Sequence, residues 1–364
     1  MALIGSINSS NDFGLKNRII NGAMVISQRN GTSATTVNGN DIYTIDRFKG
    51  WASGGGVFTV TQSSTAPTGF ANSALITVTT ADASIAAGDN YRFAQPIEGY
   101  NIADLGFGTA SASTVTLSFW VRSNITGTFG GSLYSVGGTR AYVFNYTINA
   151  ANTFEYKTVT IAGDTSGTWG TVNSTGITVY FDLGSGSNYE NATGSWVAAE
   201  KFRTSGNAKL ISTLSNTWYV TGVQLEKGST ATSFDYRPYG TELALCMRYY
   251  ERSYDYGTNT YSGEILKGIA SFGSPHISAG ASTNQMVAYM KLFLVPKRTQ
   301  PTMTGYSLTN GVAGKWRRYY TGVSPADDQN VTFNNISHTG AEVNVAAGGN
   351  CNTVLGHWVA DAEL

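Results

Sequence analysis

From residue 57 onward the chain is a succession of short runs rich in Val, Ile, Thr, Tyr and Phe, each closed off by Gly, Asn or Ser. Successive side chains of a strand point to opposite faces, so a run of this kind can bury one face and wet the other. VFTVTQ (57–62), ALITVTT (74–80), TVTLSFWVRS (114–123), AYVFNYTI (141–148), EYKTVTIAG (155–163), GITVYFDLG (176–184) and TWYVTGVQLE (217–226) all alternate or nearly so. In TVTLSFWVRS the period of two predicts Val115, Leu117, Phe119 and Val121 on a buried face, with Thr116, Ser118, Trp120 and Arg122 on the other. Segments such as NITGTFGG, GDTSGTWG and DLGSGSN read as turns, and the connections are too short for crossover helices. The expected class is therefore all-β, with a jelly-roll β-sandwich over 51–240. Forty-three glycines against seven prolines in 364 residues agree with a turn-rich β protein.

One segment breaks the pattern. TELALCMRYYERS (241–253) reads as a short helix, with Thr241 as its cap and Leu243, Met247 and Tyr250 near one face. Strand patterning resumes in GEILKGIASF, NQMVAYMKLFLV, RTQPTMTGYSL, KWRRYYTGV, NVTFNNISHTGAEVNVAA and VLGHWVADAEL, which predicts a smaller β-sandwich over 241–364. Residues 1–50 form an N-terminal arm and attachment segment. NRIINGAMVISQRNGTS and IYTIDRFKGW within it are apolar enough to pack on the first sandwich, and residues 1–15 form an arm.

Lys and Arg total 23, as do Asp and Glu, and together they make up only 13% of the chain. A nucleic-acid binder needs a cationic face to replace counterions, and a membrane-surface protein needs a basic amphipathic helix; neither is present in the sequence. MALIGSINSSND lacks the basic and apolar regions of a secretory signal, and MVAYMKLFLV is interrupted by Lys291 before it approaches a membrane span. The expectation is a protein made in the host cytoplasm without membrane insertion. Cys246 and Cys351 are too few for a disulfide scaffold and read as two buried thiols.

Several segments together resemble a family of bacteriophage tail-fibre and virion structural proteins: NRIINGAMVISQRNGTS, YTIDRF, WYVTGVQLEKGSTATSFDYRPYGTELALCMRYYE, PTMTGYS and HWVADAEL. GVQLEKGSTATSFDYRPYGTELALCMRYY is the most specific stretch. Residues 57–240 are also similar in layout to jelly-roll carbohydrate-binding modules. The resemblance implies a virion component in host recognition, commonly a homotrimer, joined to another virion protein through its N-terminal segment and binding a host surface glycan. Only about 16 residues precede NRIING, which favours a short fibre, a tip or a protein mounted on another virion part.

Catalytic groups are sparse. His276, His338 and His357 are the only histidines, with neither GxSxG nor HExxH in the chain, and no fixed-period repeat of a β-helical depolymerase is visible. Asp164, Asp182 and Glu190 lie in segments read as loops, but spacing alone does not pair carboxylates for glycoside hydrolysis. The expectation is binding without catalysis. Sugars stack their apolar faces on aromatic rings, which points to Tyr134, Trp169, Tyr189 and Trp196, each among small polar residues and read as exposed or half-exposed. Phe119, Trp120, Tyr180 and Trp218, inside strands, are assigned to packing. Asp89, Asn90, Asp182 and Asn188, with Glu190, are the best calcium candidates, against the plainer reading that they bond their own turns. Arg317, Arg318 and Tyr319 in WRRYY, and Tyr249 and Tyr250 in RYYERSYDYG, are candidate subunit contacts.

Overall fold

A computed structural model describes residues 15–253, 270–273, 285–320, 327–346 and 351–364. Residues 1–14 of the expected arm over 1–15, His276 and the first seven residues of GEILKGIASF lie outside these residues, as does the side chain of Cys351. Thirteen strands build the first body: β1 (Thr35–Val37), β2 (Ile42–Tyr43), β3 (Lys49–Ser53), β4 (Val57–Ser63), β5 (Ser73–Thr80), β6 (Asn90–Glu98), β7 (Val115–Ser123), β8 (Gly127–Ser135), β9 (Arg140–Ile148), β10 (Glu155–Ile161), β11 (Thr175–Asp182), β12 (Trp196–Val197) and β13 (Thr217–Lys227). They form two antiparallel sheets, in the orders β1-β4-β5-β13-β7-β10 and β12-β9-β8-β11-β6-β3-β2.

All seven alternating runs named above are strands, and the assignment of faces in β7 holds: Val115, Leu117, Phe119 and Val121 are fully buried between the sheets. Phe93, Phe119, Phe181 and Trp218 meet there edge-on or tilted, with centroids 5.1–6.3 Å apart. Residues 35–53 supply strands to both sheets, so the expected boundary at residue 50 falls inside β3. NRIING packs on the sandwich as expected. Asn17 donates to the Val223 carbonyl, and Ile20 exchanges backbone hydrogen bonds with the buried Gln95 amide.

The single α-helix among the described residues, α1 (Tyr239–Met247), is shorter than expected and starts earlier. Pro238 stands at its N-cap and no side chain caps it, so Thr241 does not have the expected role. The rest of the expected helix leaves the helical path and becomes β14 (Tyr250–Arg252), because its backbone pairs with the end of the chain.

The second body comprises β14, β15 (Ala270–Gly273), β16 (Gln285–Leu292), β17 (Thr302–Tyr306), β18 (Lys315–Tyr320), β19 (Asp327–Asn334), β20 (Gly340–Ala346) and β21 (Cys351–Asp361). All pairings are antiparallel, and β21 is the hub: its first half pairs with β15 and β18, its second half with β14 and β17. Trp316 and Trp358 fill its core with Phe293, Val331, Val343 and Val345.

The two bodies meet across a dense polar junction. Glu98 of β6, 1% exposed, receives two hydrogen bonds from Arg248 (2.6 and 2.9 Å) and one from the Tyr249 hydroxyl (2.6 Å). Arg47 pairs with Glu363, while Arg29 pairs with Asp361 and Glu363 and stacks 3.8 Å over the Tyr250 ring. Tyr249 and Tyr250 are thus buried inside one chain. Their expected role as subunit contacts is corrected: rings this large at a chain-internal seam are covered by the arginines stacked on them.

Candidate functional site

The expected aromatic quartet is not brought together. Trp169 is 6% exposed and meets Phe107 and Trp196 edge-on, at 4.9 and 5.2 Å. Its indole donates to the Ser166 carbonyl, and that of Trp196 to Ala162. These two rings close one end of the sandwich. Tyr134 belongs to β8, not to a loop; it is 7% exposed and stacks on Tyr180 at 5.7 Å. Tyr189 is half-buried, stacked on Phe202 at 4.5 Å. The exposed reading is therefore corrected for Tyr134 and Trp169. The segment carrying the fully buried Phe202 and Arg203 roofs the outer face of the second sheet, where Tyr134 and Tyr180 lie.

The calcium candidates are also committed elsewhere. Asp182 is fully buried, accepts the amides of Gly184 and Ser185, and faces Arg203 at 3.3 Å. Burial pushes its carboxyl pKa up, against the pull of Arg203, so a protein cation already stands where a metal would. Asp89 accepts the Ala86 amide as a turn residue, Asn90 is 3% exposed within β6, and the Asn188 carbonyl accepts from Lys201. Among the described residues no three His, Cys, Asp or Glu side chains gather as a metal site. Arg317, bonded to Asp328 and Thr309, and the half-buried Arg318 and Tyr319 lie on β18, inside its sheet between β19 and β21. His338 faces the Lys297 carbonyl, and His357, 2% exposed, lies 3.2 Å from the Ser253 hydroxyl, which also bonds the Trp358 backbone.

A different surface carries open aromatic rings. On the outer face of the first sheet, the register of β13, β7 and β10 sets side chains in rows across three strands. One row reads Thr221, Trp120, Tyr156; the next toward one end pairs Tyr219 with Arg122; toward the other end Ser118 stands beside Thr158. Trp120 and Tyr156 lie 5.4 Å apart, and Tyr156 is 44% exposed. The indole assigned to packing thus points outward.

Beyond β13 the chain turns back over this face. Thr116 and Thr160 donate to the carbonyls of Gly228 and Ser229, the Glu226 carboxylate accepts both the amide and hydroxyl of Thr232, and the Gln224 side chain accepts the Asp235 amide. These bonds hold residues 228–236 as a wall. Its Phe234 and Tyr236 rings pack on Phe70 (5.1 and 5.4 Å), and the Tyr236 hydroxyl reaches the Gly69 carbonyl. Between wall and sheet runs a groove of about 410 Å³, floored by Ser118, Trp120 and Tyr156 and walled by Phe70, Thr232, Ser233, Phe234 and Tyr236. Gly222, at a register break in β13, has φ +60°, and a Cβ there would lie 2.7 Å from the Phe70 ring. Only glycine permits this close approach without strain. The sequence stretch most specific to the virion-protein resemblance runs through this wall and into α1.

A larger cleft of about 620 Å³ lies at the junction of the bodies, lined by Arg29, Thr299, Gln300, Thr302, Thr304 and Asp361 among others. Its guanidinium and carboxylates are engaged with one another, and its aromatic content is lower than the groove's.

A scan against protein-family models finds no match, and a search of curated proteins finds none. Solved structures that are similar include the enzymatically active domain of bacteriophage CBA120 tailspike protein 4, at 14% identity and a TM-score of 0.30, with 58% of this chain and 21% of that one covered. The match thus spans about a fifth of the tailspike chain. A family 11 carbohydrate-binding module from Clostridium thermocellum, in complex with a β-1,3-1,4-mixed-linked tetrasaccharide, aligns at 13% identity and 0.28, covering 54% and 98%. TmCBM61 in complex with β-1,4-galactotriose aligns at 11% identity and 0.28, covering 58% and 99%. These are distant likenesses.

Proposed function

We propose that this chain is a non-catalytic phage virion protein that binds a host surface glycan in the groove on the outer face of its first sheet. The carrying observation is the open row Trp120–Tyr156, facing Phe234 and Tyr236 across a floor and wall that supply the hydroxyls of Ser118, Thr232 and Ser233. Aromatic planes set among hydroxyl donors and acceptors match a sugar ring, which has apolar C–H faces and an equatorial belt of hydroxyls. The virion setting rests on the resemblance of the segments named above, and trimeric assembly goes with it.

An array of immobilised oligosaccharides, probed with the purified chain and with Trp120→Ala and Tyr156→Ala, tests this reading. Binding by the native chain that falls in both variants, with their circular dichroism unchanged, is the expected result. Wild-type protein that binds no glycan and does not adsorb to host envelopes overturns it. The alternative is a purely structural virion role as a head-fibre, decoration or tail-assembly component, favoured by the polar junction that joins the two bodies.

A further inference from the structure

Arg122 stands two residues from Trp120 along β7, on the same outer face, opposite Tyr219 of β13. Two residues of strand span roughly 6–7 Å, on the order of one sugar repeat beyond the Trp120–Tyr156 platform. The guanidinium lies 4.8 Å from the Tyr219 ring centroid and 5.9 Å from that of Phe154. Its Nε is buried without a hydrogen-bond partner, and the side chain forms no ion pair with any described acidic residue. Arg18, Arg47 and Arg203 share the orphaned Nε, but they, like Arg29, Arg92, Arg140, Arg237, Arg248 and Arg317, have a carboxylate partner, and Arg298 bonds backbone carbonyls.

From this we infer that the groove's ligand is an acidic glycan, and that Arg122 is the specificity-determining residue that reads an oxyanion on the sugar next to the one stacked on Trp120 and Tyr156. The inference rests on the proposed glycan-binding reading and deepens it. A guanidinium already resting beside the Tyr219 and Phe154 rings loses less freedom on binding, and its planar fork suits a carboxylate or a phosphate. A neutral sugar would leave that charge unanswered. The aromatic platform supplies the ring-stacking contact and Arg122 the sign of the charge.

The test is an array carrying uronate-containing oligosaccharides, the same oligosaccharides after reduction of their carboxyl groups, and phosphorylated oligomannosides, read at low and high salt. The native chain is expected to prefer acidic spots over their reduced counterparts by about tenfold at low salt, the preference shrinking as salt rises. The uronate and phosphate arms show which oxyanion is used. Arg122→Gln should erase the preference for acidic over reduced spots, Arg122→Lys should restore part of it, and Trp120→Ala should weaken both classes. Equal wild-type binding to acidic and reduced spots, or a preference that Arg122→Gln leaves intact, overturns the acidic subsite while the glycan reading stands. Absence of binding to every spot overturns both.

Discussion

The Asp182 carboxylate and the Arg203 guanidinium lie 3.3 Å apart with both side chains fully buried, and Arg203 also donates to the carbonyls of Ser185 and Asn207. Arginine thereby ties the roofing segment to the end of β11. Arg203→Met leaves the Asp182 carboxylate as an uncompensated buried charge and should destabilise by about 3–5 kcal/mol, whereas Asp182→Asn leaves Arg203 with Glu190 at 3.6 Å and should cost less. The double variant should lose clearly less than the sum of the singles. Urea unfolding of the four proteins checks this, and additive losses would show that the pair is not coupled.

Substituting Gly222 by Ala should cost about 1–3 kcal/mol, from the positive φ and from displacement of the Phe70 ring. Because Phe70 also supports Tyr236, the variant should lose glycan binding even under conditions where it remains folded. Thermal melting alongside binding separates the two effects.

Tyr156 is 44% exposed on the outer face, so Tyr156→Ala should change stability by less than about 1 kcal/mol. Loss of a stacking ring should cost roughly 1–3 kcal/mol of affinity, about ten- to a hundredfold. Binding that is unchanged would move the site away from Tyr156.

Burial works to raise the Glu98 pKa, but Arg248 and Tyr249 outweigh it and hold the carboxyl below its ordinary range. A depressed folded-state pKa contributes stability above the unfolded-state value that is lost as pH falls through the folded-state one. Arg248→Ala removes the main opposing charge, leaves a buried carboxylate, and should destabilise by about 3 kcal/mol near pH 7. Without that charge, burial dominates and the folded state favours the protonated acid, so the deficit should shrink as pH is lowered toward 5. Melting curves of both proteins at several pH values test the sign.

Glu155 offers a second pH handle at the edge of the groove sheet. Burial raises its pKa, yet Lys157, the amides of Asn149 and Ala150 and the Asn149 side chain outweigh it and hold the carboxyl down at about 2. Its contribution is present above the ordinary glutamate range and vanishes as pH falls through about 2. Glu155→Gln should be about 1–2 kcal/mol less stable at neutral pH, with the two proteins converging in strong acid.

Strands that bury one face and show the other were legible in sequence, and β7 was read to the residue. Two that were missed explain the limit. β6, NYRFAQPIE, is buried at all nine positions, so it has no wet face to create an alternation, and its Arg, Gln and Glu find partners contributed by distant segments. β8, GTFGGSLYS, begins with the residues that read as a turn, and Gly131 is in β8 because the Phe144 ring occupies the space a Cβ would need. Its misreading also turned Tyr134 into a loop residue. Trp120 was placed on the correct face, but its role depends on a wall that returns across the sheet from a hundred residues later, a relation no local pattern encodes. Tyr249 and Tyr250 failed for the same reason, since the arginines covering them come from residues 29 and 47.

The seam between the two bodies has a mechanical consequence. A flexible tether would let a bound glycan swing freely, whereas the Glu98–Arg248 and Arg47–Glu363 pairs bind the bodies as one lever. A pull applied at the groove is then transmitted to β21 through these ion pairs, and the aim of the groove is set by however the second body is held.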